Sequence, residues 1–209
     1  MTLPLFQTYL SVAKDIFTIL ASIIAGVVAI IGLQTWRKQL IGKNEYELAQ
    51  KLLKAVYRVR GAVFHVRNPY MSAGEIGQAM KEENIEGDIT NPSVHAKYET
   101  AVYQRRWIHI QDSFSELEMT MLEAEAIWGN KISVNFRKLK EIVGELYANV
   151  QIHIRQIQDH ENYRYKPELI EKADSIIYGF NDTGNDEFTR KLLASISEFD
   201  EFLKPKLKS

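Results

Sequence analysis

The hydrophobicity pattern contains an uninterrupted apolar run near the N-terminus. No ionisable residue occurs between Ile16 and Leu33, and every face of a helix over this run is apolar or small. At a rise of about 1.5 Å per residue, these roughly 18 residues extend about 27 Å, close to the thickness of a bilayer's hydrocarbon core. A surface helix of a soluble protein would show a polar stripe. The pattern predicts a transmembrane helix over about residues 14–36, within an N-terminal segment 1–40.

A buried core helix and a cleaved signal peptide are the alternatives to a span. A signal peptide carries its charges before the apolar run and a small-residue cleavage site after it. Here Lys14 is offset by Asp15, whereas Arg37 and Lys38 follow the run. This order favours a retained, single-pass span. Because the basic excess lies C-terminal to the span, the positive-inside tendency predicts that residues 37–209 are cytoplasmic.

Beyond Gly42 the apolar positions recur at steps of three and four, which is typical of amphipathic helices. A first helix ends at Asn68-Pro69, and the stretch 70–90 reads as a loop with one short helix. Asn91-Pro92 starts a long helix that Gly129 stops, and a second long helix follows to form an antiparallel hairpin.

Two shorter helices complete the pattern. One opens at Pro167 and extends to about Tyr178, and Asp186 caps another that ends near Pro205. The predicted inward positions are Leu48, Leu52, Val56, Val59, Val63, Tyr98, Val102, Ile110, Phe114, Leu117, Met121, Leu122, Phe136, Leu139, Val143, Leu146, Val150, Ile157, Phe188, Leu192, Ile196, Phe199 and Leu203. The predicted fold class is all-α: one N-terminal transmembrane helix followed by a four- to five-helix cytoplasmic bundle over residues 41–209.

One face of the predicted span consists of small residues. They are Ser22, Ala25, Gly26, Ala29 and Gly32. Small side chains let membrane helices approach closely, although Gly and Ala are also common in spans that stay alone. This face is the predicted site of homo-oligomer formation.

The charges are unevenly distributed along a chain whose formal net charge is −1. The stretch 37–67 holds eight Lys or Arg against Glu45 and Glu47, so it carries +6 and the remainder carries −7. A basic segment beside a predicted span suggests contact with anionic lipid head groups or with RNA. The candidate contact residues are Arg37, Lys38, Lys43, Lys51, Lys54 and Arg58.

Few residues indicate catalytic chemistry. The chain has no cysteine and five scattered histidines, which predicts neither a disulfide nor a metal site, and no phosphate-binding loop or other cofactor motif occurs. We expect no cofactor and no small-molecule substrate. The carboxylates of "SELEMTMLEAEA" are predicted to lie on the solvent-exposed face of an amphipathic helix.

The remaining catalytic candidate is an arginine followed by a histidine after four to six residues. It occurs as "RQIQDH", Arg155 to His160, and again as Arg58 or Arg60 before His65. In helical ribonucleases of the HEPN type such a pair supplies an imidazole for proton transfer beside a guanidinium that holds the scissile phosphate. Five residues of α-helix place the two side chains roughly 140° apart, so they converge only if the helix ends between them.

Four features together resemble one family: the N-terminal span, the stretch "TWRKQLIGKNEYELAQKLLKAVYRVRGAV" that covers most of the basic segment, the helical bundle and "RQIQDH". The chain resembles the small membrane-anchored, divergent HEPN-like accessory proteins of type VI-B CRISPR systems. HEPN ribonucleases usually carry a polar residue straight after the arginine. Gln156 fits this pattern and Gly61 does not, which leaves Arg155–His160 as the better match.

The resemblance implies an oligomeric protein of the prokaryotic inner membrane that takes part in antiviral defence. It implies that the protein depolarises or permeabilises that membrane when a partner RNA-guided nuclease detects phage RNA. Two other hypotheses stay open: a membrane-tethered, metal-independent ribonuclease that uses Arg155 and His160, and a non-catalytic module that docks a partner at the membrane. We expect a non-enzymatic membrane effector that could form a pore, because the span is the strongest signal in the sequence.

Overall fold

The computed structural model describes residues 3–158, 166–179 and 186–208, with side chains given for residue 12 and from residue 14 onward. Within these ranges the chain forms six α-helices, one short 3-10 helix and no strand. The helices are α1 Leu3–Val66, α2 Ala73–Glu82, α3 Pro92–Trp128, α4 Asn130–Gln158, α5 Pro167–Tyr178 and α6 Glu187–Leu203, and the 3-10 helix is Lys204–Leu207. The predicted all-α fold class is confirmed.

The chain comprises two compact units, Met1–Glu47 and Leu48–Ser209. Helix α1 contributes to both of them, so no break in the backbone marks a boundary. The division predicted at residues 40 and 41 stays a prediction for this reason. The second unit contains the hydrophobic core, which the last five turns of α1 share with α3, α4, α5 and α6.

Local signals set the helix ends where the sequence predicts them. The Asn91 side chain accepts a hydrogen bond from the Ser93 backbone N–H at 2.9 Å, and Pro92 occupies the first turn of α3. Gly129, with a φ of +68°, ends that helix in a conformation that favours glycine. Asp186 caps α6 by accepting from the Thr189 backbone N–H at 2.9 Å.

The α3–α4 hairpin is antiparallel, as the order of its contacts shows. Glu118 pairs with Lys140 at 3.1 Å, the rings of Trp107 and Tyr147 lie 4.8 Å apart, and Glu99 meets His153 at 3.2 Å. Residue numbers therefore fall along α3 as they rise along α4. These contacts confirm the predicted hairpin.

Most of the predicted inward positions are buried, including every one chosen in the last five turns of α1 and in α6. Leu122 is an exception, because 71% of its side chain is exposed. Its neighbour Met121 takes the inward position, and one residue of helix turns the side-chain direction by about 100°. The prediction that Leu122 faces the core is wrong.

Candidate membrane interface and buried polar cluster

The apolar run of α1 has no protein cover within the described chain. Its eighteen-residue window has a mean hydropathy of 2.7 and is 0% buried. Its large side chains are between 49% and 73% exposed from Ile16 to Leu33. Burying a large aliphatic side chain is worth about 1.5–3 kcal/mol, so leaving all of them in water costs on the order of 20 kcal/mol. Helix α1 is therefore long and apolar enough to span a membrane.

The predicted association face is open along the same helix. Ser22, Ala25, Gly26, Ala29 and Gly32 are all exposed. A methyl group added at Gly26 or Gly32 would meet no atom within 4 Å. The Ser22 hydroxyl donates to the Thr18 carbonyl at 2.8 Å, so the polar atom on this face is satisfied inside the helix. Such a face tolerates lipid and permits close approach of another helix.

The candidate lipid- or RNA-contact residues divide into paired and unpaired groups. Lys43 lies 3.8 Å from Glu47, Lys51 lies 2.8 Å from Glu123, and Arg58 pairs with Glu116. Within the described residues the other three, Arg37, Lys38 and Lys54, have no ion-pair partner. The basic segment thus presents less free positive charge than its sequence suggests, and its contact with an anion stays a prediction.

Arg67 belongs to the core, although the sequence counts it among the basic segment. Its side chain is fully buried, and its Nε donates to the Ile176 carbonyl at 2.5 Å. Its Nη1 donates to the Thr189 hydroxyl at 2.6 Å and its Nη2 to Asp186 at 2.9 Å. Burial lowers the pKa of Arg67, and Asp186 opposes that shift. One guanidinium therefore joins the end of α1 to the end of α5 and the start of α6.

A second buried arginine, Arg106, fixes the chain that follows α1. It forms a bidentate pair with Glu75, at 2.7 and 2.9 Å, and donates to the carbonyls of Asn68 and Tyr70 at 2.5 and 2.8 Å. The hydrogen bond from Arg106 is the largest cause that lowers the pKa of Glu75. This group closes the turn between α1 and α2 against α3.

The second Arg–His candidate has separate structural partners. Arg58 pairs with Glu116, whereas the His65 Nε2 lies 3.8 Å from Glu75. Burial, followed by the charge of Arg106, lowers the pKa of His65. A neutral imidazole beside a buried ion pair fits a helix-end histidine.

Three helices bring together a buried polar cluster that the sequence reasoning missed. The His153 Nε2 of α4 lies 3.2 Å from a Glu99 oxygen of α3 and 3.0 Å from the Tyr178 hydroxyl of α5. The ring of Tyr103 meets that of His153 edge-on at 5.1 Å. The only sequence signal is the position of His153 three residues after Val150, on the apolar face of α4.

The surroundings of the Tyr178 hydroxyl in this cluster favour its protonated form. Tyr178 is 41% exposed overall, but its hydroxyl reaches the buried cluster, and burial strongly raises its pKa, so this hydroxyl keeps its proton. The His153 Nδ1 has no hydrogen bond among the described residues, and an Asp174 oxygen lies 3.8 Å from it. Because Glu99 and Tyr178 both face the Nε2 atom, His153 bonds to one of them at a time: a bare Nε2 accepts from the Tyr178 hydroxyl, and a protonated Nε2 donates to Glu99. With His153 only 5% exposed, the cluster acts first as a junction between α3, α4 and α5.

The predicted catalytic pair is only half described. Arg155 lies on the exposed side of α4, two residues after His153, whereas His160 is outside the described residues. Their pairing therefore stays a prediction. Among the described residues, no group of three or more His, Asp or Glu side chains is arranged to hold a metal ion.

Comparison with known proteins gives no relative from which a role could be transferred. No family model matches the chain, and no significant match occurs among curated proteins or solved structures.

Proposed function

We propose that this protein is a membrane-anchored, self-associating effector of the prokaryotic inner membrane, with α1 as its single span. The observation that carries the proposal is the uncharged segment from Ile16 to Leu33, whose large side chains are all exposed on the helix surface. A bilayer removes that apolar surface from water without requiring any protein partner. Arg37 and Lys38 follow the segment and favour a cytoplasmic location for the rest of the chain.

The effector role requires several copies. One helix cannot enclose an aqueous path, since each spanning backbone must satisfy its polar groups internally and a single span leaves no lumen. The open small-residue face from Ser22 to Gly32 supports close packing of spans. We propose that copies assembled in this way perturb the membrane when a partner, an RNA-guided nuclease of a CRISPR-type defence system, activates them; the resemblance supplies this last part of the proposal.

The test compares the full chain with a variant that cannot insert. Each arginine at the centre of a span costs about 2.5–3.5 kcal/mol for insertion. We expect Ile24→Arg combined with Val28→Arg to move the protein out of the membrane fraction and to abolish the loss of membrane potential that the activated wild type produces in cells. The combination Ile24→Leu and Val28→Leu is the matched control and keeps both properties.

Two outcomes would contradict parts of this proposal. A wild-type chain that stays in the supernatant, with its first forty residues intact, would refute the anchor. A chain that sediments with membranes yet leaves the potential unchanged under activation would refute the effector role and favour the docking module.

A further inference from the structure

Helix α3 carries a long exposed stripe without a single charge. Its members follow at steps of four, three, four, four, three and four, which keeps them within a band of roughly 80° around the helix. They are Gln104, Ile108, Gln111, Ser115, Met119, Leu122 and Ala126, and all seven are exposed. Ile108 is 51%, Met119 70% and Leu122 71% exposed. Apolar side chains so exposed and so aligned mark an interaction surface.

A groove of about 790 Å³ lies between α3 and α4, beside the N-terminal half of this stripe. Trp107 and Tyr147 line it with rings 4.8 Å apart. Its α4 side includes Gly144 and Gln151, and Lys140 also lines it, where it pairs with Glu118 of α3 at 3.1 Å. Aromatic side chains in such a setting are typical anchors of protein interfaces.

We propose that this α3–α4 face binds the same face of a second copy of the chain, with the two α3 helices side by side and parallel. In a two-fold contact, a residue near the axis meets its own counterpart. A charged residue there would face a like charge, which explains why the stripe has none. Ile, Met, Leu and Ala pack against themselves, and Ser and Gln side chains both donate and accept hydrogen bonds.

The available area suits such a pairing. The stripe is about 33 Å long, and with the adjoining edge of α4 the face is about 20 Å wide, since a helix is about 10 Å across. Each copy would then cover roughly 650 Å², and the pair about 1,300 Å², within the range of specific interfaces. Anchoring in one bilayer raises the effective concentration of the copies. The inference rests on the proposed function for the assembly of copies in one bilayer, whereas the surface itself belongs to the unit Leu48–Ser209.

Disulfide trapping tests the contact, because the full chain contains no cysteine. Ile108→Cys, Ser115→Cys and Leu122→Cys would each be oxidised in membranes from expressing cells. The control is Ile127→Cys, which is 51% exposed on the same helix but about 100° away from Ala126. We expect each stripe cysteine to give covalent dimers at least about tenfold faster than the control, since bonding needs Cα atoms within about 7 Å.

The outcomes separate the surface from the anchor. Equal rates at position 127 and in the stripe would overturn the proposal, and trapping at position 115 alone would indicate antiparallel helices and overturn the parallel arrangement. Protein that fails to sediment with membranes refutes the anchor, and the trapping pattern can still be read in that soluble fraction. The two failures are therefore distinguishable.

A charge variant provides an independent check. Leu122→Glu, placed in the Ser115→Cys background, would bring two carboxylates together across the axis and slow trapping at least about tenfold, which corresponds to about 1.4 kcal/mol. Ile127→Glu is its control and leaves the rate unchanged. Trapping that persists undiminished with Leu122→Glu would show that the copies meet elsewhere and would overturn the inference.

Discussion

At the scale of single residues, Arg67 shows why a charge count differs from a charged surface. The sequence places it in a basic segment, and nothing local marks it as buried. Its partners are Ile176, Asp186 and Thr189, more than a hundred residues later in the chain. A buried guanidinium is tolerated only when its donors are satisfied, so its burial depends on tertiary contacts that periodicity does not reveal.

Glu75 gives a pH-dependent prediction. Arg106 lowers its pKa below the ordinary value of 4.5, so the unfolded chain binds more protons than the folded chain in that range. The pair therefore stabilises the fold fully above pH 4.5, and this contribution is lost as the pH falls through the lower, folded pKa. We expect Glu75→Gln to cost about 1.5–3 kcal/mol at neutral pH and progressively less below pH 4.5.

Thermal unfolding of the detergent-solubilised chain, followed by circular dichroism across pH, measures this difference. Glu82→Gln is the control, because Glu82 lies on the same helix with a 51% exposed side chain and pairs with Arg105 at 3.3 Å. It should follow the wild-type curve closely. A Glu75→Gln deficit that stays constant down to pH 3 would contradict the argument.

At the scale of elements, the sequence predicts helix ends better than helix faces. Asn91, Gly129 and Asp186 act through atoms within three or four residues, so short-range signals suffice to place them. Long helices that pack on two sides give a weaker pattern. Helix α3 turns one side to the core and another, with Leu122, to the surface, and an apolar residue in the sequence does not reveal which side it occupies.

The cluster of Glu99, His153 and Tyr178 could not be predicted for a related reason. Its members lie on three helices and follow no motif spacing, so only the packing of α3, α4 and α5 brings them together. The apolar segment of α1 is the opposite case, since eighteen consecutive positions carry its signal. A feature formed by consecutive residues, such as the apolar segment of α1, can be predicted from the sequence. A feature formed by residues on different helices, such as the Glu99 cluster, cannot.

The side-chain cap of α3 gives a testable prediction about where this helix begins. Asn91→Ala removes the acceptor for the Ser93 N–H and should reduce stability by about 1 kcal/mol, whereas Asn91→Ser keeps an acceptor and should cost little. The midpoint of thermal unfolding measures both changes. If the alanine and serine variants unfold at the same temperature, the side-chain cap does not determine where α3 begins.

At the scale of the whole molecule, the proposed self-association in a bilayer would have to compete with lipid, which solvates an apolar helix as well as another helix does. Close packing between small residues is one of the forces that remain. Gly26 and Gly32 have open space beside them, and so does Gly42, which lies beyond the predicted span and outside the small face. A Cβ atom added at any of these three positions meets no neighbouring atom within 4 Å, so substitutions on the small face can be compared with one outside it.

We expect Gly26→Leu combined with Gly32→Leu to leave the proposed membrane insertion intact, because leucine favours lipid. We expect the pair to weaken the proposed assembly of spans and to reduce the proposed loss of membrane potential several-fold. Gly42→Leu should change neither property. The measurements are oligomer mass in detergent and a potential-sensitive dye in cells. Full depolarisation by the double variant would show that the small face does not hold the copies together. The α3–α4 surface would then be the contact that remains, and Leu122→Glu should by itself abolish the loss of membrane potential.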